Sequence, residues 1–207
     1  MITNLNQLDL DKTYTYADYL SWKLSERVEL LWGKIFKMSP APSTNHQRIS
    51  SILHRDIANF LMNSSCEVFH APFDVYLKIN EQQPDSVVQP DIVVVCDQSK
   101  LDEKGCQGAP DLVVEILSPS SAQKDLKYKL NLYEEAGIPE YWVVDSSNFL
   151  VQVFVLESGQ YQLHRPYTYE DSIQSKVIPG FSIHLNEVFP DHFREPEVSY
   201  GENVIRI

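Results

Sequence analysis

Glu115 stands inside the run Asp-Leu-Val-Val-Glu-Ile-Leu, residues 111–117, with apolar side chains on both sides. A carboxylate in the middle of a buried strand is costly unless a cation or hydrogen-bond donors meet it. Asp91 heads a second apolar run, Ile-Val-Val-Val-Cys, directly after Pro90. If the two strands pair, both acids reach one end of a sheet. Two such carboxylates repel, and one of them takes a proton. A divalent cation held by both removes the conflict, and oxygen donors of this kind suit Mg2+ or Mn2+. Lys129, on the segment after the Glu115 strand, has a side chain long enough to return to that end. An ammonium there favours hydroxide formation and offsets charge building on a phosphorus centre. The expected catalytic set is therefore Asp91, Glu115 and Lys129, with Asp91 and Glu115 as metal ligands and phosphodiester hydrolysis as the chemistry.

Three more residues are supporting candidates. Glu29, in Arg-Val-Glu-Leu, can point toward the cluster as a further metal or water ligand. His46, at the start of a helix, can approach a phosphate. Asp111 shares the Glu115 face of its strand, since side chains alternate with a period of two. Each has a plain structural reading as well. Asp91 can cap a turn after proline, and Lys129 can form an ordinary helix-surface pair with Asp125, four residues earlier.

The elements that must position these residues can be read from pattern. Thr15 and Asp18 fit a capping box for a short helix through Tyr19 and Trp22. RVELLWGKIFKM reads as a hairpin turning near Trp32-Gly33. A loop at Ser39–Ser43 leads to Thr44 and Gln47, a second capping box, and Ile49, Leu53, Ile57 and Phe60 recur at helical spacing over 45–62. VFHAPFDVYLKI is a strand bent at Pro72. Two near-continuous apolar runs, 91–95 and 111–117, are strands covered on both faces. A helix follows over 122–136 with Leu126, Leu130 and Tyr133 on one face, stopped by Gly137. Tyr141–Val144 is another strand. Leu150–Leu156, Tyr161–Tyr167, Ser175–Ile178 and Phe181–Leu185 make a β-meander. This is a mixed α/β fold with a central sheet flanked by helices. The expected organisation is one domain over 1–207, with a core over about 14–145, a meander extension over about 146–190 and a tail at 191–207.

The chain of 207 residues can bury a sizeable core, and its composition, 43% hydrophobic and 22% charged, is that of a globular protein. The net charge of −12 counts against broad non-specific affinity for nucleic acid, so any such contact must come from a local patch. Cys66, Cys96 and Cys106 read as ordinary buried thiols of a cytoplasmic protein. The start of the chain lacks a signal-peptide pattern, and no apolar run approaches a membrane span. There is no Gly-rich phosphate loop, no G-x-S-x-G elbow and no His-Glu-x-x-His helix.

Pro90-Asp91 followed two dozen residues later by Glu115 resembles the PD-(D/E)XK nuclease signature. The longer string GAPDLVVEILSPSSAQKDLKYKLNLYEEAGIPEYWVVD closely resembles the Uma-type family of restriction-endonuclease-like proteins. RVELLWGKIFKMSPAPSTNHQR, PFDVYL, VVQPDIVVV and IPGFSIHLNEVF match it too, so the resemblance covers roughly residues 14–190. It implies a restriction-endonuclease-like core and Mg2+- or Mn2+-dependent hydrolysis of DNA. One departure stands out: the simple signature puts a lysine two residues after the acid, where this chain has Leu117. The resemblance implies that the lysine has moved to the following helix. That points to Lys129 ahead of Lys124 and Lys127. The alternative is a catalytically inactive nuclease-like module acting through a partner or nucleic acid. A homodimer is expected from the need to cover apolar edge strands such as FLVQVFVL.

Overall fold

Local chemistry sets where most elements begin. Thr15 accepts a hydrogen bond from the Asp18 amide, and Asp18 accepts one from the Thr15 amide, so the expected capping box is present. The cap of the next long helix lies one residue before the expected one. Ser43, not Thr44, receives the His46 N–H, at 3.2 Å. Trp32 and Gly33 have φ of 48° and 73°, positive at both loop positions as a type I′ hairpin requires.

The computed structural model describes residues 2–38, 41–80 and 84–189. The expected tail at 191–207 and the first two residues of the 39–43 loop lie outside these. After a short 3-10 turn come α1 (Tyr16–Ser21), β1 (Val28–Leu31), β2 (Lys34–Lys37), α2 (Thr44–Leu61), β3 (Glu67–His70), β4 (Val75–Leu77), β5 (Ser86–Val88) and β6 (Ile92–Val95). Then follow β7 (Leu101–Asp102), β8 (Gly105–Gln107) and β9 (Leu112–Ile116). A π-helical segment (Lys124–Lys129) runs directly into α3 (Leu130–Glu135). The chain continues through β10 (Glu140–Asp145), β11 (Leu150–Glu157), β12 (Gln160–Thr168), β13 (Ser172–Gln174), β14 (Ser182–His184) and α4 (Leu185–Val188).

Among the described residues the strands form two six-stranded mixed sheets and a two-stranded ribbon, β13-β14, rather than one sheet. The first has the order β2-β1-β5-β4-β8-β7, and the second β12-β11-β10-β9-β6-β3. The second sheet is the middle layer. Ile92, Val94, Leu112, Val114, Trp142 and Val144 face α2 and the β13–β14 ribbon. Their alternates Val93, Val95, Val113, Tyr141 and Val143 face α3 and the first sheet. Both faces are thus buried, as the apolar runs of β6 and β9 require. β9 and β10 pair in parallel, and the π-segment with α3 is the crossover that parallel pairing needs.

Five sequence expectations change. VFHAPFDVYLKI is not one bent strand: β3 joins the second sheet and β4 the first, on either side of the Ala71-Pro72 bond. In α2 the fourth inward residue is Leu61, and Phe60 points outward at 46% exposure. Ser175–Ile178 is a loop, and β13 lies just before it. The apolar run FLVQVFVL forms β11, paired on one side with β10 and on the other with β12. It is no edge; the meander's edge in this sheet is β12. Cys66 and Cys96 are joined in a disulfide instead of standing as free thiols, and Cys106 is free and buried. The two lie 30 residues apart in sequence, and only the β3–β6 register sets them opposite each other, one step beyond Glu67 and Val95.

The 175–178 loop is held by a buried acid that the sequence pattern did not reveal. Glu140, fully buried on β10, accepts hydrogen bonds from Trp142 Nε1, Ser175 Oγ and the amides of Lys176 and Val177, at 2.6 to 3.0 Å. Removing it leaves those donors without an acceptor inside the core. Glu140→Ala is expected to cost about 3 kcal/mol of stability, read as a shift of the urea midpoint. A loss below about 1 kcal/mol would refute this account of the loop.

Candidate active site

The register of the β6–β9 pair decides where the two expected ligands meet. Ile92 faces Val114 and Val93 faces Val113, so the next step sets Asp91 opposite Glu115. By alternation both point to the same face of the sheet as Val93 and Val113. Asp91 Oδ2 accepts from the Ile116 amide at 2.8 Å and lies 3.1 Å from His46 Nε2. His46 reaches this point because the Ser43 cap starts α2 beside the mouth of the site. Burial disfavours charge on its ring, but the Asp91 carboxylate outweighs that and raises the His46 pKa.

Glu115 is buried, and its Oε1 accepts from Lys129 Nζ at 2.7 Å and from Tyr133 OH at 2.8 Å. The Lys129 ammonium is shared. It also lies 2.8 Å from Glu29 Oε1 and 3.8 Å from Asp125 Oδ1. Glu29 comes from β1 of the other sheet, so the cluster straddles the contact between the two sheets. Its carboxylate takes a second ammonium, Lys124 at 2.5 Å on Oε2, and the Gln89 amide at 3.0 Å on Oε1.

The helix that brings in both lysines is wound to suit this. On an α-helix, residues five apart point about 140° away from each other. Lys124 and Lys129 lie at the ends of a π-helical turn, whose i→i+5 bonding widens the winding. Both can therefore meet one carboxylate. The 3.6-residue pattern predicted Leu126, Leu130 and Tyr133 on the inner face. Instead Asp125, Lys129, Leu132 and Tyr133 are inside, and Leu126 is exposed. The Asp125–Lys129 pair is real, but it is buried rather than a solvated surface bridge.

Charge is unevenly distributed in this cluster. Burial pushes the Glu29 carboxyl up, but Lys129 and Lys124 together more than reverse it, leaving its pKa at about 2. Burial pushes Glu115 up to about 8: its one ammonium is shared, and Asp125, Asp91 and Glu29 all oppose a further negative charge. Burial likewise raises Asp125. Lys129 is held firmly charged: burial opposes this, but Glu115, Glu29 and Asp125 outweigh it.

The cluster opens on a cavity of about 480 Å³ lined by Arg27, His46, Asp91, Glu115, Ser118, Ser121, Lys124, Asp125 and Lys129 among others. Three of the supporting or catalytic candidates from different elements thus share one cavity wall with Glu115, and Glu29 stands just behind it. Asp111 is the exception. It shares the Glu115 face but sits four residues back, about 13 Å along the strand, where its Oδ2 accepts from the Cys96 amide at 2.7 Å. Asp125, Tyr133 and Lys124 also join the cluster, beyond the residues expected from sequence. Their signal was present only as a polar KDLKYK stretch in a helix that must pack against a sheet.

Among the described residues no group of three or more His, Cys, Asp or Glu side chains is arranged to hold a metal ion. Mg2+ does not demand one, because it commonly takes one or two carboxylates and completes its shell with water and substrate oxygens. Asp91 and Glu115 supply two hard oxygen donors side by side, and the buried Asp125 Oδ1 accepts no hydrogen bond. That donor set suits a hard divalent cation.

The fold and this cluster define a restriction-endonuclease-like α/β protein. The chain belongs to the Uma2 family, described as "Putative restriction endonuclease", whose sequence pattern matches residues 16–186. A crystal structure from Anabaena variabilis ATCC 29413, described as "a putative nuclease belonging to DUF820", shares the fold with a TM-score of 0.67 and 20% identity, covering 84% of this chain and 97% of that one. Two proteins of Synechocystis sp. (strain ATCC 27184 / PCC 6803 / Kazusa) are similar in sequence. Uncharacterized protein slr1290 is 29% identical over 177 residues, 83% of this chain and 89% of its own length. Uncharacterized protein sll1609 is 28% identical over 146 residues, 68% of this chain and 80% of its own. No described helix is long and apolar enough to cross a membrane.

Proposed function

We propose that this protein is a divalent-metal-dependent nuclease that hydrolyses phosphodiester bonds in DNA. The observation that carries the reading is the Asp91–Glu115 pair, set opposite each other on β6 and β9 at a cavity wall, with the Lys129 ammonium on Glu115. Asp91 and Glu115 would hold Mg2+ or Mn2+, which when bound supplies charge neutralisation at the phosphoryl oxygens and an acidified water. The chain's own groups do the rest. The Ile116 amide and His46 fix the Asp91 carboxylate. Lys129 keeps positive charge next to Glu115, on the side where negative charge builds during attack on phosphorus. Tyr133 fixes the Glu115 Oε1 orientation.

Supercoiled plasmid is the direct substrate to try. The wild-type protein is expected to nick it with Mg2+ or Mn2+ and to leave it intact with EDTA, while Asp91→Asn leaves it intact throughout. Cleavage by Asp91→Asn at the wild-type rate would remove the assignment. The second reading, an inactive nuclease-like module, is favoured by the commitment of Lys129 to three acids at 2% side-chain exposure. Calorimetry with Mn2+ separates the two. Binding that Asp91→Ala abolishes supports the enzyme, and no heat at millimolar Mn2+ supports the module.

A further inference from the structure

Both lysines on the π-turn line the cavity, but Lys129 is almost closed off and Lys124 is the more open of the two. The Lys129 side chain is 2% exposed and surrounded by Glu29, Glu115 and Asp125. Lys124 is 15% exposed, lines the cavity, and is tied on its buried side to the fully buried Glu29. Two nearby cationic chains, Arg27 and Lys127, do not compete well for a ligand in that position. Arg27 lines the cavity, but its Nε and Nη2 both donate to Gln89 Oε1, at 3.0 and 2.5 Å. Lys127 is exposed and lies over the Tyr128 ring, and it is not among the residues lining the cavity. Beside Lys124 the wall is a turn rich in hydroxyls, where Ser118 Oγ lies 3.1 Å from Ser120 Oγ and 3.0 Å from Ser121 Oγ.

We propose that Lys124 is the group that grips the DNA phosphate next to the carboxylate pair, and that Glu29 is its latch when the cavity is empty. This inference rests on the nuclease reading above. An ammonium held by one carboxylate and open to solvent on its other side can exchange that partner for a phosphate oxygen. The exchange leaves Glu29 neutralised by Lys129 and the Gln89 amide, so no buried charge is stranded. Lys129 has no such freedom, because leaving would take the ammonium from Glu115 and Asp125.

The two halves of the proposal predict opposite signs. In anisotropy titrations of a short fluorescein-labelled DNA duplex with Ca2+ present, Lys124→Met is expected to weaken binding about tenfold, the worth of one charge-assisted contact. It should also lower the slope of log affinity against log salt by about one. Lys124→Arg should restore both. With Mg2+, the loss should appear mainly in KM. Glu29→Gln, which removes the latch, should bind the duplex severalfold more tightly. Wild-type affinity and salt slope in Lys124→Met would overturn the proposal and leave the nuclease reading standing, as would weaker binding with an unchanged slope. Weaker binding in Glu29→Gln, measured on folded protein, would make the pair structural and remove the latch. If the wild type neither binds nor cuts DNA, the nuclease reading fails and takes the Lys124 assignment with it.

Discussion

Glu115→Gln is expected to abolish DNA cleavage and at the same time to raise the melting temperature of the metal-free protein. The two effects share one cause. The site holds a carboxyl where burial and three neighbouring acids oppose its charge. The folded chain keeps the Glu115 proton up to about pH 8, whereas a glutamate in the unfolded chain releases it near 4.5. Between those values the folded state binds more protons, so stability falls as pH rises. By pH 7 the accumulated loss approaches about 3 kcal/mol. A glutamine cannot ionise, and its oxygen can still accept from Lys129 and Tyr133. The variant should therefore gain up to about 7 °C at neutral pH and nothing near pH 4, below both values. If Glu115 holds the metal as proposed, cleavage should drop about a thousandfold or more, since losing such a ligand forfeits several kcal/mol at about 1.4 kcal/mol per tenfold. Thermal melts in EDTA across that pH range, beside nicking assays with Mn2+, check both halves. A melting temperature that falls at neutral pH would show that the Glu115 charge supports the fold rather than straining it.

Lys129→Met is expected to be the most damaging single change in the cluster. It removes the ammonium that Glu29, Glu115 and Asp125 share at 2.8, 2.7 and 3.8 Å, and leaves Glu29 with Lys124 alone. Breaking a buried pair by removing one partner costs about 3–5 kcal/mol. The loss has a pH signature. In the wild type, Glu29 is depressed to about 2, so its contribution is present above the ordinary carboxylate range and disappears as pH falls toward that value. Without Lys129 the carboxyls of the cluster titrate upward, and the folded state binds protons that the unfolded chain has released. Stability then falls with rising pH. Urea midpoints taken at about pH 5 and about pH 8 should show a markedly larger deficit at the higher pH. A deficit equal at both values, or none, would mean that Lys129 does not neutralise the cluster.

Much of the chemistry was legible because burial is written into sequence. An acid flanked by Val113, Val114, Ile116 and Leu117 cannot avoid a buried strand, and Pro90-Asp91 before Ile-Val-Val-Val reads the same way. Period-two alternation placed Asp91 and Glu115 on a shared face once their strands paired. It also placed Asp111 there, wrongly for the site, since alternation fixes the face and not the distance along it. The hairpin at Trp32-Gly33 and the Thr15–Asp18 cap were legible too, because each is local: a few adjacent residues carry both the backbone demand and the groups that satisfy it.

The sequence by itself determined which residues must be inside, which ends are capped, and that acids on neighbouring apolar strands need a cation or a proton. The tertiary structure decided which charges share one cation. Glu29 reaches Lys129 across 100 residues of sequence only because two sheets pack together, and Lys124 reaches Glu29 only because the helix widens into a π-turn. The pairing of Cys66 with Cys96 waited in the same way on a strand register. Local preferences act over a few residues and leave a readable period. Contacts between distant segments are set by how whole layers pack, and a single chain's pattern carries no periodic trace of that.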